Sequence, residues 1–418
     1  MPFFSRQWRD WLPNLPNPVW ILAAGRLLSQ IGNGFTLFYA PIFFVNQVGL
    51  SATAVGIGLG SGSISGVFGR FFGGTLTDSP LWGRKKTLLL SALVSALADV
   101  AFTFTHDFPT FILGNLLMGL GIGLYWPATE AAVADLTAIH ERNEAFAITR
   151  LADSLGLGVG VILGGLLIAV GGNYRALFVV DGISFLVFFG VIYWAIAETG
   201  QFDDSPDEPV GQGWGVAFRD RLLMVFVLVN ILFTTYLAQI QSTIPLYLTN
   251  FVAGGGFPPQ VISGLFTWHV VFAALCQLPM ARFLNRFSRP QALTLSISLW
   301  GLGFLLIWLT GTLSTGALWG AILALSIMAI ATVAYMPSAS AFVVDIAPAS
   351  LRGVYLSINS QCWAIGYFIG PPLGGWALDQ SRAIADGFWL VAAFSITLGI
   401  VILQYLHRLL RQHKTLIS

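Results

Sequence analysis

The chain alternates between long apolar runs and short polar breaks. A run of about 20 mostly apolar residues can cross a bilayer as a helix, and breaks marked by charged residues, Pro, Gly or Asn leave twelve such runs. The candidate spans lie near residues 19–46, 51–76, 86–106, 109–136, 144–171, 176–197, 221–249, 260–284, 291–311, 316–346, 353–376 and 386–408. The pattern predicts an all-α integral membrane protein with 12 transmembrane helices.

The longest break separates six candidate spans from six. Its residues, 198–220, are acidic and rich in Pro and Gly, which is typical of a flexible linker. We therefore predict two pseudo-symmetric six-helix bundles. The predicted parts are a cytoplasmic lead-in (1–18), an N-terminal bundle (19–197), a cytoplasmic linker (198–220), a C-terminal bundle (221–408) and a cytoplasmic tail (409–418).

The basic residues predict the direction of insertion, because cytoplasmic loops carry an excess of Lys and Arg. With the N-terminus inside, fourteen of the 20 Lys and Arg residues lie on the cytoplasmic side, whereas Arg175 and Arg382 lie outside. Both termini are therefore expected in the cytoplasm. The short loops and the absence of a signal-peptide core in the first 18 residues favour a multi-pass protein of a bacterial-type inner membrane.

Composition supports this class and argues against others. Only 9% of the residues are charged, against about 25% in soluble domains, so much of the surface must face the lipid bilayer. A net charge of +1 argues against nucleic acid as a partner. Cys276 and Cys362 lie in apolar runs and are expected to be unpaired. No phosphate-binding loop, metal-ligand cluster or catalytic dyad is recognisable, so neither an enzyme nor a cofactor is expected.

The two halves resemble each other. A shift of 210 residues places GLGVGVILGG (156–165) over GYFIGPPLGG (366–375), and a shift of 204 pairs Arg26 with Asn230. Two like bundles inserted in the same direction favour a parallel repeat, a design in which carriers bind substrate between their halves. Duplication can also simply build a larger bundle.

Glycines spaced by four residues share one helix face and let another backbone approach closely. Both aligned segments have such a face. The packing candidates are Gly156, Gly160 and Gly164 in the first half and Gly366, Gly370 and Gly374 in the second. Pro371 and Pro372 occur only in the second half, so a kink is predicted there alone.

The segment GGTLTDSPLWGRKK, residues 73–86, lies between the second and third candidate spans. It resembles the signature loop of the major facilitator superfamily, G-x-x-x-D-R-x-G-R-R. The matching positions are Gly74, Asp78, Gly83, Arg84 and Lys85. Ser79 stands where a basic residue is usual, and the loop is longer than the signature by two residues. A decayed copy, ARFLNRFSR, occupies 281–289, and the resemblance covers essentially the whole chain.

Segment 366–375 is also similar to the signature of the family's drug:proton antiporter branch, which normally lies in the fifth helix. In this chain the fifth helix has Val161 in place of the proline, and the eleventh helix has the full pattern. The branch usually has an Arg in helix four that is implicated in proton movement, but Asn115 stands at that position. Either Arg26 or Arg150 takes that role, or the carrier is not driven by protons in the usual way.

The loop at 78–85 could act as a conformational latch that holds two helices together in one state, and the resemblance implies that its partner is the start of the eleventh helix. From the residues, Arg84 can pair with the acidic end of a neighbouring helix, with Asp135 as a candidate. The latch candidates from both halves are Gly74, Asp78, Gly83, Arg84, Lys85, Asp135, Arg142, Asp345 and Arg352. As an alternative, the basic residues only hold the topology.

Ionisable groups inside spans cost about 2.5–3.5 kcal/mol each on insertion scales and are functional candidates. The family fold would bring four of them to a central cavity as a neutral cluster, in which carboxylates could exchange partners as they gain or lose a proton. These proton-coupling candidates are Arg26, Glu130, Arg150 and Asp153. A static ion-pair network that braces the N-terminal half is the alternative. Asp99 and Asp181 are interpreted as packing residues.

The C-terminal spans contain almost no charge, but they contain polar and aromatic side chains that could bind amphipathic compounds by stacking and hydrogen bonding. The substrate-cavity candidates are Tyr236, Gln239, Tyr335, Asn359 and Trp363. Aromatic packing against lipid is the alternative.

These features lead to one main functional expectation and two alternatives. The main one is a monomeric secondary transporter that works by alternating access and couples efflux of a small amphipathic or hydrophobic substrate to protons. A metabolite uniporter or symporter is the first alternative, which Asn115 keeps open. A lipid-handling or signalling protein on a transporter fold is the second.

Overall fold

The computed structural model describes residues 15–79, 81–138, 142–171, 173–199, 212–252, 255–284, 286–313, 315–348 and 351–417. Throughout this part of the chain the regular structure is helical. The helices are α1 Asn17–Leu37, α2 Tyr39–Asn46, α3 Ala52–Asp78, α4 Gly83–Thr103, α5 Phe108–Asp135, α6 Arg142–Gly171, α7 Arg175–Ala195, α8 Gln212–Arg219, α9 Arg221–Gln241, α10 Thr243–Asn250, α11 Pro259–Leu284, α12 Arg289–Thr312, α13 Ala317–Ile346, α14 Arg352–Leu378 and α15 Arg382–Ile417.

Among the described residues, 11 helical segments are long and apolar enough to cross a membrane, with α1 and α2 counted as a single span. The predicted all-α membrane architecture is confirmed at this level. The remaining predicted span, 353–376, coincides with α14, which is not among the 11 segments. The total of twelve and the cytoplasmic termini therefore stay predictions.

The internal repeat is visible in the backbone as a matched pair of broken helices. The break between α1 and α2 falls at Phe38, and the break between α9 and α10 falls at Ser242, 204 residues later. Pro41 and Pro245 explain both, because a proline ring clashes with the carbonyl four residues before it. Those carbonyls belong to Leu37 and Gln241, where α1 and α9 end.

The chain divides into two compact units. The first consists of Met1–Leu37, Ile64–Leu167 and Gly171–Asp204, and the second of Phe38–Ser63, Ile168–Val170 and Ser205–Ser418. In the first unit α4 packs on α5 and α7, and α1 packs on α7. In the second unit α12 packs on α13 and α15, α9 on α14, and α11 on α13. The α4–α5–α7 and α12–α13–α15 groups are equivalent by the repeat.

Large apolar side chains lie exposed on the helices of both units. Phe71, Val170, Trp194 and Trp319 are each more than 70% exposed. Soluble monomers rarely expose extended apolar patches, so these faces fit contact with lipid. Trp300 and Trp389, by contrast, are fully buried inside the second unit.

The structure has more helix than the sequence predicted in two places. The region predicted as a linker contains the short helix α8, which ends just before Asp220 caps α9. At the other end, α15 continues to Ile417, beyond the predicted end of the span at 408. The sequence after 408, LLRQHKTLI, contains neither Gly nor Pro, so nothing in it stops the helix.

Candidate functional site

A buried arginine lies at the centre of the first unit. The Arg26 side chain on α1 is 1% exposed and pairs with Asp153 on α6, which is 13% exposed. Nε donates to Asp153 Oδ1 at 3.0 Å, and Nη2 donates to the second carboxylate oxygen. Nη1 donates to Thr129 Oγ1 on α5 at 3.4 Å. A buried guanidinium is stable only if it is paired and hydrogen-bonded, and three helices supply these partners.

The other two coupling candidates form a separate pair at a more open position. Arg150 Nη2 donates to Glu130 Oε1 at 2.7 Å, with the side chains 58% and 46% exposed. The Trp126 ring connects the two pairs, because the Arg26 guanidinium lies 5.6 Å and the Arg150 guanidinium 4.9 Å from its centroid. The predicted four-residue cluster is therefore two ion pairs whose guanidiniums both lie near one indole ring.

Sequence reasoning left out Arg70, although it belongs to this neighbourhood. Arg70 on α3 is close enough to interact electrostatically with Glu130. Its charge inside an apolar run was the signal that could have found it. Glu130 thus pairs with Arg150 and is also near the charge of Arg70.

The equivalent position in the second unit has a neutral network. Asn230, which the 204-residue shift pairs with Arg26, donates from Nδ2 to Asn359 Oδ1 on α14 at 2.8 Å. Tyr335 on α13 donates its hydroxyl to Asn230 Oδ1 at 2.5 Å. The two units therefore share a polar contact among three equivalent helices, but only the first unit has charge there.

The remaining cavity candidates divide into two groups. Tyr236 is buried against the Trp300 and Phe304 rings and shares a hydrogen bond of 2.5 Å with Ser395, so its side chain packs toward α12 and α15. Trp363, in contrast, is half-buried near the Tyr335 ring.

Gln239 holds two helices together in the second unit. It is 3% exposed, and its Nε2 donates to the Gly370 carbonyl on α14 at 2.9 Å. Like Tyr236, it forms part of the packed interior of this unit.

The latch candidates of the first half form a connected group at one end of the bundle. Arg84 Nε donates to Asp135 Oδ2 at 2.9 Å, the partner expected from the sequence, and its Nη1 donates to the Thr77 carbonyl. Lys85 Nζ donates to the Tyr193 carbonyl at 2.8 Å. Glu198, which sequence reasoning missed, accepts from the backbone amides of both Arg84 and Lys85. It therefore caps the N-terminus of α4, where the helix dipole favours an anion.

Glycine is required at the start of α4 for two reasons. Gly83 has a φ of +78°, and a Cβ there would lie 2.5 Å from Glu198 Oε2. Gly74, in contrast, has open space around its Cβ position. The side chain of Asp78 lies outside the described residues.

The second half repeats the ion pair at the end of the bundle. Arg289 Nε lies 3.3 Å from Asp345 Oδ2, and these residues follow Arg84 and Asp135 by 205 and 210 positions. An Arg–Asp pair thus joins α4 to α5 in the first unit and α12 to α13 in the second. The side chains of Arg142 and Arg352 lie outside the described residues, so a latch role for them stays a prediction.

The glycine segments lie where their helices pack closely against neighbouring helices. A Cβ on Gly156 would lie 2.4 Å from the Leu27 carbonyl oxygen, and one on Gly160 would lie 2.1 Å from that of Ile31. Gly164 is also buried. In the second unit the corresponding clashes would be with side chains of α9 and α10. They involve Thr234 for Gly366, Ala238 for Gly370 and Thr243 for Gly374.

The segment around Pro371 meets another helix within the second unit. Pro371 and Pro372 lie inside α14, and a Cβ on Gly56 of α3 would lie 2.2 Å from the Pro371 carbonyl oxygen. At the end of α14, Asp379 accepts from the amides of Ala52 and Thr53 at 2.8 and 2.7 Å. The carboxylate therefore caps the first turn of α3.

A contact that was not predicted from the sequence joins Asn46 and Asn250, which are equivalent positions of the repeat. Asn46 and Asn250, 204 residues apart, exchange two amide hydrogen bonds of 3.0 and 2.9 Å. Each side chain lies at the end of the short helix that follows a proline break. The 204-residue shift that pairs Pro41 with Pro245 was the signal that could have found them.

The two aspartates interpreted as packing residues have different surroundings. Asp181 accepts from Thr36 at 3.2 Å and from Ser184 at 3.4 Å. Asp99 is 1% exposed, and its oxygens have no hydrogen-bond partner among the described residues. The brace interpretation fits Asp181 better than Asp99, since only Asp181 makes directed contacts.

Comparison with known proteins identifies relatives that span nearly the full length. Multidrug resistance protein MdtH of Photorhabdus laumondii is 25% identical over 398 residues, covering 94% of this chain and 95% of the relative. The uncharacterized MFS-type transporter YqjV of Bacillus subtilis is 23% identical over 415 residues, covering 98% and 97%.

Solved structures share the fold at lower identity. The nucleoside transporter NupG superposes with a TM-score of 0.77 at 14% identity, covering 94% of this chain and 99% of the other. The peptide transporter POT in complex with sulfate superposes with a TM-score of 0.77 at 16% identity, covering 95% of each chain.

The family model of the Major Facilitator Superfamily matches residues 22–257 and 253–417. Because this family model matches almost the whole chain, the protein belongs to the Major Facilitator Superfamily and is a membrane transporter, not an enzyme.

Proposed function

We propose that this transporter exports small amphipathic or apolar organic compounds in exchange for protons, by alternating access. The observation that carries the proton part is the buried Arg26–Asp153 pair, at a position where the second unit has only neutral side chains. The substrate class is supported by the relatives named multidrug resistance proteins.

The proposed coupling step is protonation of Asp153. The ionised carboxylate balances the charge of Arg26 and ties α6 to α1 through two hydrogen bonds. A proton on Asp153 would leave the guanidinium with Thr129 and the faces of Tyr125 and Trp126. That loss of attraction would loosen α6 from α1. Glu130 is 46% exposed, and its partner Arg150 lies 4.9 Å from the centroid of the same indole ring.

The proposed alternating movement uses contacts at opposite ends of the bundles. The Arg84–Asp135 and Arg289–Asp345 pairs lie at the end that the basic residues assign to the cytoplasm. The Asn46–Asn250 amide pair and the Asp379 cap lie at the other end. Opening one end while the other stays closed would expose a substrate to one side at a time.

Transport in proteoliposomes tests the proposal. A fluorescent amphipathic cation is followed with and without an imposed pH gradient and an uncoupler. Wild type should accumulate the dye only with the gradient, whereas Asp153→Asn should lose gradient-driven transport. Glu144→Gln is the matched control, since Glu144 is an exposed carboxylate on the same helix. Gradient-driven transport that survives both Asp153→Asn and Glu130→Gln would refute the coupling step.

One observation favours facilitated diffusion as a second candidate. Asn115 occupies the position of the expected helix-four arginine, and its Nδ2 donates to the Phe111 carbonyl of its own helix at 2.8 Å. It therefore provides no charge for proton movement. Dye equilibration that is saturable but indifferent to the gradient would establish this candidate.

A further inference from the structure

Two buried aspartates of the first unit take no part in the proposed coupling step. Asp99 lies on α4 and Asp181 on α7, and the residues are 1% and 0% exposed. Asp99 precedes the end of α4 by four residues, and Asp181 follows the start of α7 by six. At about 1.5 Å per residue they lie about 6 Å and about 9 Å inside these helix ends. The distribution of basic residues assigns both ends to the outer side of the membrane.

Two glycines allow the helices to close around this pair. A Cβ on Gly182, next to Asp181 in the chain, would lie 3.2 Å from the Asp99 Cβ, so α7 and α4 approach closely there. A Cβ on Gly32 of α1 would lie 2.2 Å from Asp181 Oδ1. Since α7 packs on both α1 and α4, the two carboxyl groups lie inside the bundle, near enough to interact electrostatically.

The two carboxyl groups differ in their hydrogen bonds. Asp181 accepts from Thr36 Oγ1 at 3.2 Å and from Ser184 Oγ at 3.4 Å. Both oxygens of Asp99 are buried and have no hydrogen-bond partner among the described residues. Donated hydrogen bonds favour the ionised form of a carboxyl group, and a buried charge without them is costly. The negative charge therefore suits Asp181 better than Asp99.

The cations of the surrounding helices are engaged elsewhere. Arg26 of α1 pairs with Asp153, and Arg175 at the start of α7 donates to the Thr103 and Thr105 carbonyls. The electrostatic neighbour of Asp99 is Asp181. The other charged or titratable residues of α4, α5, α7 and the adjoining turns are Arg84, Lys85, Lys86, His106, Asp107, Tyr125, Glu130, Asp135, Tyr174 and Tyr193.

We propose that Asp99 binds an exchangeable proton beside the negative charge of Asp181. Two buried carboxylates repel each other, so the second one to ionise holds its proton. Water at the outer helix ends supplies this proton to an Asp99 carboxylate oxygen and takes it back when the medium becomes alkaline. The site is separate from Asp153 and does not depend on the coupling step proposed there.

A metal ion fits this position less well than a proton does. No group of three or more His, Cys, Asp or Glu side chains that could hold a metal ion occurs within the described ranges. A proton needs only one carboxylate oxygen, and the two oxygens of Asp99 make no other bond there.

Infrared spectroscopy of the protein in phosphatidylcholine bilayers tests the proposal, because a protonated carboxyl group has a carbonyl band apart from the amide bands. Wild type should show such a band at neutral pH, and the band should move in heavy water and disappear at alkaline pH. Asp99→Asn should lose it. Asp181→Asn should keep it but lose it at a lower pH than wild type, because the neighbouring negative charge is gone.

Asp386→Asn is the matched control. Asp386 is another mostly buried aspartate near an outer helix end, 14% exposed, but it pairs with Arg382. Its replacement should leave both the band and its titration unchanged. Gel filtration checks that each variant is folded, and if Asp99→Asn aggregated, the shift in Asp181→Asn would decide.

Three results would overturn the proposal. The first is the same band in Asp99→Asn as in wild type, and the second is an unchanged titration in Asp181→Asn. The third is loss of the band when Na⁺ replaces choline at constant pH, which would assign the site to a metal ion.

Discussion

At the scale of single residues, burial separates the two ion pairs of the first unit. The Arg26–Asp153 pair is inside the protein, whereas both members of the Glu130–Arg150 pair are about half exposed. Removing one partner of a buried pair leaves an uncompensated charge and costs about 3–5 kcal/mol. An exposed pair contributes about 0–1 kcal/mol because water screens it.

Asp153→Asn should therefore lower the unfolding temperature strongly, and Glu130→Gln should change it little. Thermal unfolding of the purified variants in the same detergent measures both effects. Equal effects of the two substitutions would show that burial does not decide the strength of these pairs.

The double variant Arg26→Asn/Asp153→Asn is a sharper test of the same point. It copies the neutral Asn230–Asn359 pair of the second unit, so it should regain much of the stability lost in Asp153→Asn. Because it also removes the Asp153 carboxylate, gradient-driven transport should stay absent. If the double variant were less stable than Asp153→Asn alone, the stability lost in Asp153→Asn would not come from an unpaired Arg26 charge.

At the scale of helices, glycines decide where two backbones can touch. Gly160 of α6 and Gly34 of α1 face each other, and a Cβ on Gly160 would lie 2.8 Å from Gly34 Cα. Gly190 of α7 has no atom within 4 Å of its Cβ position. A substitution by alanine should thus destabilise the protein at Gly160 but not at Gly190.

Gly160→Ala should destabilise the protein by about 1–3 kcal/mol because the added methyl group forces the helices apart. Gly190→Ala should be neutral or stabilise by up to about 1 kcal/mol, since alanine restricts the unfolded chain. Chemical unfolding followed by tryptophan fluorescence measures the difference. If Gly160→Ala had the same effect on stability as Gly190→Ala, the close contact between α1 and α6 at Gly160 would be contradicted.

At the scale of the whole molecule, the repeat links features far apart in the chain. The broken helices α1–α2 and α9–α10, the Asn46–Asn250 pair and the two Arg–Asp pairs all follow shifts of 204 to 210 residues. Charge departs from this symmetry, because the first unit has a charged centre and the second a neutral one.

Asp379→Asn should loosen the start of α3. The substitution replaces a charged acceptor of two backbone amides, those of Ala52 and Thr53, by a weaker neutral one. Hydrogen exchange should become faster at residues 52–56, and more so in combination with Asn46→Ala. Asp386→Asn is the control, because Asp386 accepts from Arg382 at the start of α15. Unchanged exchange in Asp379→Asn would refute the capping role.

Much of this protein's structure follows from its sequence, but the pairing of its buried side chains does not. The sequence determined the membrane class, the helical segments and the repeat, because apolar run length and residue spacing are local properties of the chain. It also listed the four coupling candidates, and it named Asp135 as the partner of Arg84.

Only the tertiary structure decided which charges meet. Arg26 and Asp153 are 127 residues apart, and the four candidates form two ion pairs whose guanidiniums both lie near the Trp126 ring. The same holds for Tyr236 and Gln239, whose polar atoms bond within the second unit. A side chain's residue type sets what it can bind, but the packing of helices sets what lies within hydrogen-bond distance.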